Sequence, residues 1–345
     1  MSITVQGYSG CGIIVRPRDA QDPAEAGCHN VVEKSSPEPS YDVRLVKQID
    51  KQENYAAALA AAGVSPQGDD NKKRTPQIVI PRVLFRRERP NHAGQPSLVV
   101  GMTFEHHVDC VGFLSSASPD KVHVFVDALM QLLQRHVAAS PVGVVPTAVI
   151  SNKMADILRV CKNNSKLGPI VEELVPMIEQ LKGWIDASPE GHAMPLGVCH
   201  GDLTLSNVLI QHGPSAAGSK SGGPCDAEDM KIVLIDFLDS FVETPVADLV
   251  KLCQDLVYGW TIRSMVAHQA LRVDLTRIYM AYGVAYDALL KLFSGHDWFK
   301  RYFRFFFVVN QLRVLQYCKS DDDRAYLFDS VKEQYALWQA ETADA

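Results

Sequence analysis

Two stretches decide how this chain is interpreted. Residues 198 to 210 read Val-Cys-His-Gly-Asp-Leu-Thr-Leu-Ser-Asn-Val-Leu-Ile, and residues 232 to 239 read Ile-Val-Leu-Ile-Asp-Phe-Leu-Asp. Asp202 follows a His-Gly pair, so the backbone can turn sharply there and the carboxylate can face an open site. Asn207 directly precedes one apolar run and Asp236 ends the other, and two such runs separated by a polar loop predict a β-hairpin. The three oxygen-bearing side chains are therefore expected to converge.

These residue types suit phosphoryl transfer. Hard divalent cations such as Mg²⁺ bind oxygen ligands and are usually shared with phosphate groups. A separate carboxylate near the metal can orient an attacking hydroxyl and take its proton, which is the division of labour in kinases. The pattern therefore predicts a kinase-type site.

The pattern resembles the aminoglycoside phosphotransferase and choline kinase group, small-molecule kinases with a protein-kinase-like fold. The resemblance implies that Asp202 is the catalytic base and that Asn207 and Asp236 bind Mg²⁺. Protein kinases carry His-Arg-Asp and Asp-Phe-Gly at these places, whereas this chain has Gly201 and Leu238, which favours the small-molecule branch. The matching positions are His200, Gly201, Asp202 and Asn207 in the catalytic loop, with Ile235, Asp236 and Phe237 in the metal-binding segment.

The resemblance also implies an α+β fold with two lobes. Residues 1–104 would form a small, antiparallel β-rich lobe that binds nucleotide, and residues 105–345 a larger helical lobe for catalysis and acceptor binding. The length of 345 residues independently favours more than one core.

Composition narrows the class of protein. A net charge of −6 gives no electrostatic case for nucleic acid as a partner. No apolar run approaches the roughly 18 residues that a membrane span needs, and the first residues lack the charged-then-apolar pattern of a signal peptide. The eight Cys are scattered without a Cys-x-x-Cys pair, which favours reduced thiols. A cytoplasmic protein with no membrane partner is expected, and its oligomeric state stays open.

The nucleotide-binding residues are sought in the N-terminal part. Gly10 and Gly12 precede an apolar strand, and glycines let backbone N–H groups approach phosphates, although any tight turn also uses them. Lys34 ends the next predicted strand. The resemblance implies that it holds the α and β phosphates of ATP, whereas a lone lysine at a strand end is usually only solvated.

Two further nucleotide contacts are expected. The helix predicted over residues 42–62 should carry an acid that pairs with the lysine, and Glu53 is preferred over its neighbour Gln52 for this role. The backbone of residues 101–105, including Met102 and Phe104, is the candidate for hydrogen bonds to adenine.

Two features follow the catalytic loop. The resemblance implies that Asp248 braces this loop, whereas the alternative is a solvated carboxylate at the start of a helix. Residues 212–229 are rich in Gly, Ser and Pro and are predicted to be an inserted loop. We favour a tolerated surface insertion over a flap that contacts substrate.

The sequence is compatible with more than one kind of acceptor. An aromatic cage for a quaternary ammonium, an acidic surface for a polycation, and arginines for a phosphate or carboxylate are all conceivable. We expect an ATP-dependent kinase for a hydroxyl of a small molecule (a sugar derivative, an amino alcohol or an aminoglycoside). The alternative is a nucleotide-binding pseudokinase or an atypical protein kinase. The residues considered for the acceptor are Tyr258, Trp260, Trp298 and Tyr302 for the cage, Asp239, Glu243 and Asp255 for the acidic surface, and Arg263 and Arg313 for an anion.

Overall fold

The computed structural model describes residues 3–6, 11–61, 76–91, 94–104, 107–212, 230–266 and 274–343. Gly10 and residues 213–229 of the predicted inserted loop lie outside these ranges. The chain divides into two compact units, the first comprising Met1–Cys110 with Asn207–Asp239 and the second Val111–Ser206 with Ser240–Ala345. The predicted boundary between residues 104 and 105 therefore differs from the observed division, in which the later segment Asn207–Asp239 also belongs to the first unit.

The first unit contains a five-stranded antiparallel sheet and one long helix. The strand order is β1-β2-β3-β6-β5. The long helix, α1, covers Pro39–Ala61 and turns the side chains of Leu45 and Ile49 against Val100 of the sheet. The strands are Ile3–Gln6 (β1), Gly12–Pro17 (β2), Asn30–Ser35 (β3), Val83–Pro90 (β5) and Pro96–Thr103 (β6).

A second sheet explains why the later segment joins the first unit. The strands Val208–His212 (β10) and Met230–Leu234 (β11) pair antiparallel, which confirms the predicted hairpin. β11 also pairs in parallel with Gln77–Val79 (β4), and β10 pairs with Val108–Asp109 (β7). Strand pairing across more than 100 residues of sequence is invisible to local hydrophobic patterns, so a linear domain boundary could not anticipate it.

The second unit is mainly helical, with one two-stranded sheet. Its strands are Val142–Val145 (β8) and His192–Pro195 (β9), which pair antiparallel. Together the two units confirm the predicted α+β class, with antiparallel strands towards the N-terminus and helices towards the C-terminus. The helices are Cys110–Ser116 (α2), Pro119–Ala138 (α3), Thr147–Asn163 (α4), Val171–Asp186 (α5), Pro245–Leu256 (α6), Trp260–Val266 (α7), Leu275–Phe293 (α8), Asp297–Val314 (α9) and Asp321–Ala343 (α10).

Helix α6 lies at the centre of the second unit. Thr244 caps its N-terminus by accepting a hydrogen bond from Val246 N, and Pro245 occupies the first turn, where its missing N–H is not needed. Nearly every side chain of this helix is buried, including three charged residues at positions 248, 251 and 255. A helix that is buried all round must satisfy such charges internally. Among the helices that the structure describes, none is both long and apolar enough to cross a membrane.

Candidate active site

In the first unit, Lys34 and Asp236 form a direct ion pair. Lys34 Nζ lies 2.8 Å from Asp236 Oδ1 and donates more weakly, at 3.4 Å, to Gln48 Oε1. The lysine is 5% exposed, so it is not the solvated strand-end lysine of the alternative interpretation. Burial lowers the pKa of Lys34, but the charge and hydrogen bond of Asp236 outweigh burial and raise the pKa above its ordinary value. The pair therefore joins a fixed cation to the carboxylate of the predicted metal-binding segment.

The prediction that Glu53 of α1 pairs with Lys34 is wrong. Glu53 forms an exposed ion pair with Arg86, and the Gln52 amide donates to Pro81 O at 2.6 Å. Gln48 lies one helical turn before Gln52, so both face the sheet, whereas Glu53 is rotated by about 100° towards solvent. The contact with Lys34 thus falls to Gln48, a neutral side chain.

The other predicted nucleotide contacts lie on the strands. Gly12 opens β2 opposite Ser35, and a Cβ built on it would come within 2.6 Å of Ser35 Oγ, so a larger residue would have to displace the serine hydroxyl. Met102 lies in β6, paired with Val32 of β3, and Phe104 follows the end of that strand. Gly12 and Met102 therefore belong to the sheet that carries Lys34, and Phe104 lies just beyond it.

The hairpin brings the two predicted metal ligands to one end. Ile235 N donates to Asn207 O at 3.1 Å, so Asp236 is one residue beyond the position opposite Asn207. Asp236 adopts φ 59°, a left-handed conformation that aspartate tolerates better than most residues, and its side chain is 43% exposed.

This donor set fits Mg²⁺. Both side chains offer oxygen, the hard ligand that Mg²⁺ prefers. Within the described ranges, no group of three or more His, Cys, Asp or Glu could hold a metal alone. A pair of oxygen donors suits Mg²⁺, which is usually bound through one or two carboxylates together with substrate phosphates and water.

In the second unit, Asp248 holds the loop that carries Asp202. Its carboxylate accepts hydrogen bonds from His200 N and Gly201 N, both at 2.8 Å, and lies 3.0 Å from His136 Nδ1. The Asp248 side chain is completely buried. Burial raises its pKa, but the hydrogen bond with His136 and the nearby charge outweigh burial and hold the pKa below its ordinary value. These contacts confirm the bracing role and exclude the solvated alternative.

Gly201 allows that loop to turn. Its φ is 84°, a conformation that residues with a Cβ rarely adopt. The arginine that protein kinases carry at this place would be strained here. The backbone conformation at position 201 therefore explains why this chain has glycine there.

Asp202, the predicted base, is paired with a lysine that the sequence did not single out. Lys251 Nζ on α6 lies 2.9 Å from Asp202 Oδ1, and the Asp202 side chain remains 28% exposed. Burial raises the pKa of Asp202, but the charge and hydrogen bond of Lys251 outweigh burial and keep the pKa below its ordinary value. The carboxylate is therefore ionised at neutral pH.

Asp255 fixes the loop on its other side. Its carboxylate accepts from Leu205 N and Thr261 N, each at 2.6 Å, and it is completely buried. Burial raises the pKa of Asp255 to about 6, although these backbone hydrogen bonds oppose the rise. Asp248 and Asp255 thus hold the loop before and after Asp202, and Asp255 is not available for an acidic acceptor surface.

A sequence model of the phosphotransferase enzyme family, named for aminoglycoside phosphotransferases, matches residues 35–282. The match covers well over half of the chain and includes Asp202, Asn207 and Asp236. The chain belongs to this phosphotransferase family. Membership confirms the resemblance seen in the catalytic loop and the prediction of a kinase-class enzyme. A comparison with curated protein sequences gave no match.

Solved structures give a more distant likeness. Glucosamine kinase in crystal form A is 13% identical to this phosphotransferase, with a TM-score of 0.42. The match covers 99% of the phosphotransferase described here and 77% of the glucosamine kinase chain. The aminoglycoside-3'-phosphotransferase of type VIII is 16% identical, with coverage of 97% and 93% and a TM-score of 0.41. These scores are low, so the acceptor of this phosphotransferase has to be sought in its own residues.

The predicted aromatic cage is not assembled in this phosphotransferase. Tyr258 lies beside Trp260, at 6.2 Å between ring centroids, and its hydroxyl donates to Asp323 O. Trp298 packs against Phe293 and His296, whereas Tyr302 packs against Trp184 and His192. The four rings are divided among three clusters of the described chain, so these four residues do not form one cage.

The two candidate arginines of the phosphotransferase differ in their surroundings. The Arg263 guanidinium lies 3.5 Å from the Tyr326 ring centroid, donates to Tyr258 O, and is 3.8 Å from the Asp323 carboxylate. Arg313 donates to Asn310 Oδ1 at 3.2 Å and, within the described residues, has no carboxylate at ion-pair distance. Arg263 therefore lies against a carboxylate and an aromatic ring, whereas Arg313 is hydrogen-bonded to a neutral amide.

Sequence reasoning missed Lys251 for an identifiable reason. A single lysine in an amphipathic helix normally lies on the solvated face. The signal that could have found it is the spacing of Asp248, Lys251 and Asp255, which places three charges on one face of a helix whose other residues are largely apolar. Because such a helix has no solvated face, these charges had to serve one another or the loop beside them.

Proposed function

We propose that the protein transfers the γ-phosphoryl group of ATP to a hydroxyl of a small molecule, with Asp202 as the base. The observation that carries the proposal is the arrangement of the Asp202 loop. Asp248 and Asp255 fix its backbone, and Lys251 fixes the carboxylate in its ionised form. Such preorganisation is what a positioned base requires.

The proposed reaction forms one oxygen–phosphorus bond and breaks another. Asp202 accepts a hydrogen bond from the acceptor hydroxyl, orients it, and takes its proton as the oxygen binds the γ-phosphorus. The bond from the γ-phosphorus to the bridging oxygen breaks, and ADP leaves with that electron pair. In such transfers the protein contributes mainly positioning and charge stabilisation.

The nucleotide is assigned to residues of the first unit. Lys34 would bind phosphate oxygens with its ammonium, and Gly12 would let the backbone of β2 come close to them. Asn207 and Asp236 would hold Mg²⁺, which supplies positive charge to the phosphates when bound. The backbone around Met102 and Phe104 would contact adenine.

A pseudokinase is the second candidate, and one observation favours it. Lys251 occupies one oxygen of Asp202, which could hold the carboxylate away from a substrate. Against this, more than a quarter of the Asp202 side chain is exposed, so a substrate can still reach the carboxylate. We therefore place the active kinase first.

The test is consumption of ATP in the presence of candidate acceptors. Purified protein with Mg²⁺ is offered sugars, sugar derivatives, amino alcohols and aminoglycosides, and ADP is measured with each. Acceptor-dependent ADP formation that is lost in Asp202→Asn supports the proposal. Tight ATP binding with no acceptor-dependent turnover across the panel would instead favour the pseudokinase.

A further inference from the structure

A continuous polar path leads from Asp202 into the second unit. Lys251, bound to Asp202, lies 3.4 Å from Gln254 Oε1, and Asn310 Nδ2 donates to the same oxygen at 2.8 Å. Asn310 Oδ1 in turn accepts from Arg313 Nη2 at 3.2 Å. Residues 251 and 254 share one face of α6, and residues 310 and 313 share one face of α9. The path therefore runs between two packed helices and ends at a guanidinium.

Arg313 lines a pocket at the end of this path. The pocket lies between α4 and α9, and its cavity volume is about 50 Å³. Lys153 of α4 lines it together with Arg313, Gln316 and Asp156, over a floor of apolar side chains. A cavity of this size suits one small group of a ligand, such as a phosphate or a carboxylate, and not a whole small molecule.

The pocket holds two cations that no carboxylate neutralises directly. Neither Lys153 nor Arg313 has an acidic group at ion-pair distance among the described residues, and Lys153 Nζ lies 6.0 Å from the centroid of the Phe241 ring. Asp156 is itself paired with Arg159 at 3.4 Å. Like charges near each other in a partly buried place are costly unless something of opposite sign binds there.

The electrostatic effects agree with this geometry. Burial lowers the pKa of Lys153 and the nearby charge of Arg313 lowers it further, whereas the charge of Asp156 partly opposes this shift. The charge of Arg313 also lowers the pKa of Lys251 and contributes to the low pKa of Asp202. Arg313 is therefore close enough to act on the pocket and on the proposed base together.

We propose that the acceptor carries a phosphate or carboxylate group in addition to its reactive hydroxyl, and that Arg313 and Lys153 bind this anionic group. The inference rests on the proposed function, because it assigns the acceptor of that same site. A guanidinium binds either anion in a bidentate manner, and an ammonium adds a point charge. The hydroxyl would then lie towards Asp202, while the anion lies at the far end of the polar path.

This assignment opposes cationic acceptors. An amino sugar, a choline-like amino alcohol or an aminoglycoside would bring positive charge to Lys153 and Arg313, and the predicted acidic surface has lost Asp255 to a structural role. The solved structures compared above carry the names glucosamine kinase and aminoglycoside phosphotransferase. Under this proposal the acceptor of this chain is anionic, in contrast to the amino sugar and the aminoglycosides in those names.

The first test measures binding, which does not depend on turnover. Glycerol is compared with glycerol 3-phosphate, and glucose with glucose 6-phosphate and gluconate, by calorimetry on the full chain. At least one anionic member should bind 10-fold or more tightly than its neutral counterpart, and Arg313→Gln and Lys153→Gln should each reduce this preference by 10-fold or more. The matched controls are Lys162→Gln, an exposed lysine on the same helix as Lys153, and Arg277→Gln, an exposed arginine on α8 that does not line the pocket.

The same experiment separates the possible failures. If no anionic member binds better than its neutral counterpart, or if the controls weaken binding as much as Arg313→Gln, the inference is wrong. If Arg313→Gln weakens ATP binding and leaves the anionic probes unaffected, the arginine serves the nucleotide and the inference is likewise wrong. Selective anion binding without acceptor-dependent ADP formation would leave this site standing and overturn the proposed kinase function instead.

Discussion

The ammonium of Lys251 lies 2.9 Å from the carboxylate of Asp202, and the lysine comes from the buried helix α6, not from the catalytic loop. The interaction holds the carboxylate in place, and 28% of the Asp202 side chain remains exposed. It also gives the proposed base its charge state, because burial alone would raise the pKa of Asp202. Lys251 is therefore a positioning residue that acts through Asp202.

Replacing Lys251 with methionine should move the acid limb of the activity profile. The base works only when it is deprotonated, and its pKa is lowered by Lys251, so removal of the lysine raises that pKa. We expect the acid limb of kcat/KM to shift to higher pH. Lys251→Arg keeps the positive charge and should leave the limb near its wild-type position. A limb that stays in place in Lys251→Met, in protein shown to be folded, would contradict the positioning role.

Replacing Asp202 with asparagine should remove turnover and spare the nucleotide. A positioned general base contributes roughly 10²–10⁴-fold to a rate, and we expect a loss of kcat in that range. ATP affinity should stay within about 2-fold, since the proposed nucleotide contacts lie elsewhere in the chain. The measurement is steady-state kinetics beside equilibrium nucleotide binding, and wild-type turnover in this variant would rule out Asp202 as the base.

The sequence was informative where local chemistry decides the structure. The hairpin, its Asn207 and Asp236 end, and the bracing carboxylate Asp248 follow from apolar runs and the motif around them. The partner of Lys34 was missed because a change of one residue on a helix rotates a side chain by about 100°, and a pattern does not fix the rotation of α1 against the sheet. Lys251 was missed because its burial depends on helices that pack around α6 from distant parts of the chain.

Gln48 and Glu53 provide a direct test of the corrected α1 contact. Gln48→Ala removes the hydrogen bond to Lys34 Nζ, so the lysine should be less well positioned and the Kd for ATP should rise several-fold. Glu53→Ala removes only an exposed ion pair with Arg86, an interaction worth roughly 0–1 kcal/mol, and should leave the Kd unchanged. If Glu53→Ala weakened ATP binding and Gln48→Ala did not, the originally predicted pairing would be restored.

Asp248 should be important for stability as well as for the loop. Asp248→Ala would leave His200 N and Gly201 N without their acceptor in a buried place, which costs roughly 2–4 kcal/mol of unfolding free energy. Asp329→Ala is the control, since this exposed carboxylate only pairs with Lys332 and should change stability by less than about 1 kcal/mol. Urea unfolding of both variants makes the comparison. If both variants lose the same small amount of unfolding free energy, the hydrogen bonds to Asp248 contribute little to stability.

Replacing Asp236 with alanine should separate the metal from the nucleotide. In the wild type, Asp236 would bind Mg²⁺ and already holds Lys34, so its removal takes away a metal ligand and also releases the lysine. We therefore expect ATP affinity with Mg²⁺ to fall 10-fold or more, while ATP affinity without Mg²⁺ stays the same or rises, because Lys34 no longer shares its charge with Asp236. Asp239→Ala removes an exposed carboxylate three residues later and should leave both affinities as they are. Equilibrium titration of ATP with and without Mg²⁺ gives two affinities for each protein, so each variant and the wild type together provide four values to compare. The same Mg²⁺ dependence in Asp236→Ala as in wild type would remove Asp236 from the metal site, whereas an equal loss of affinity under both conditions would assign it to the positioning of Lys34 alone.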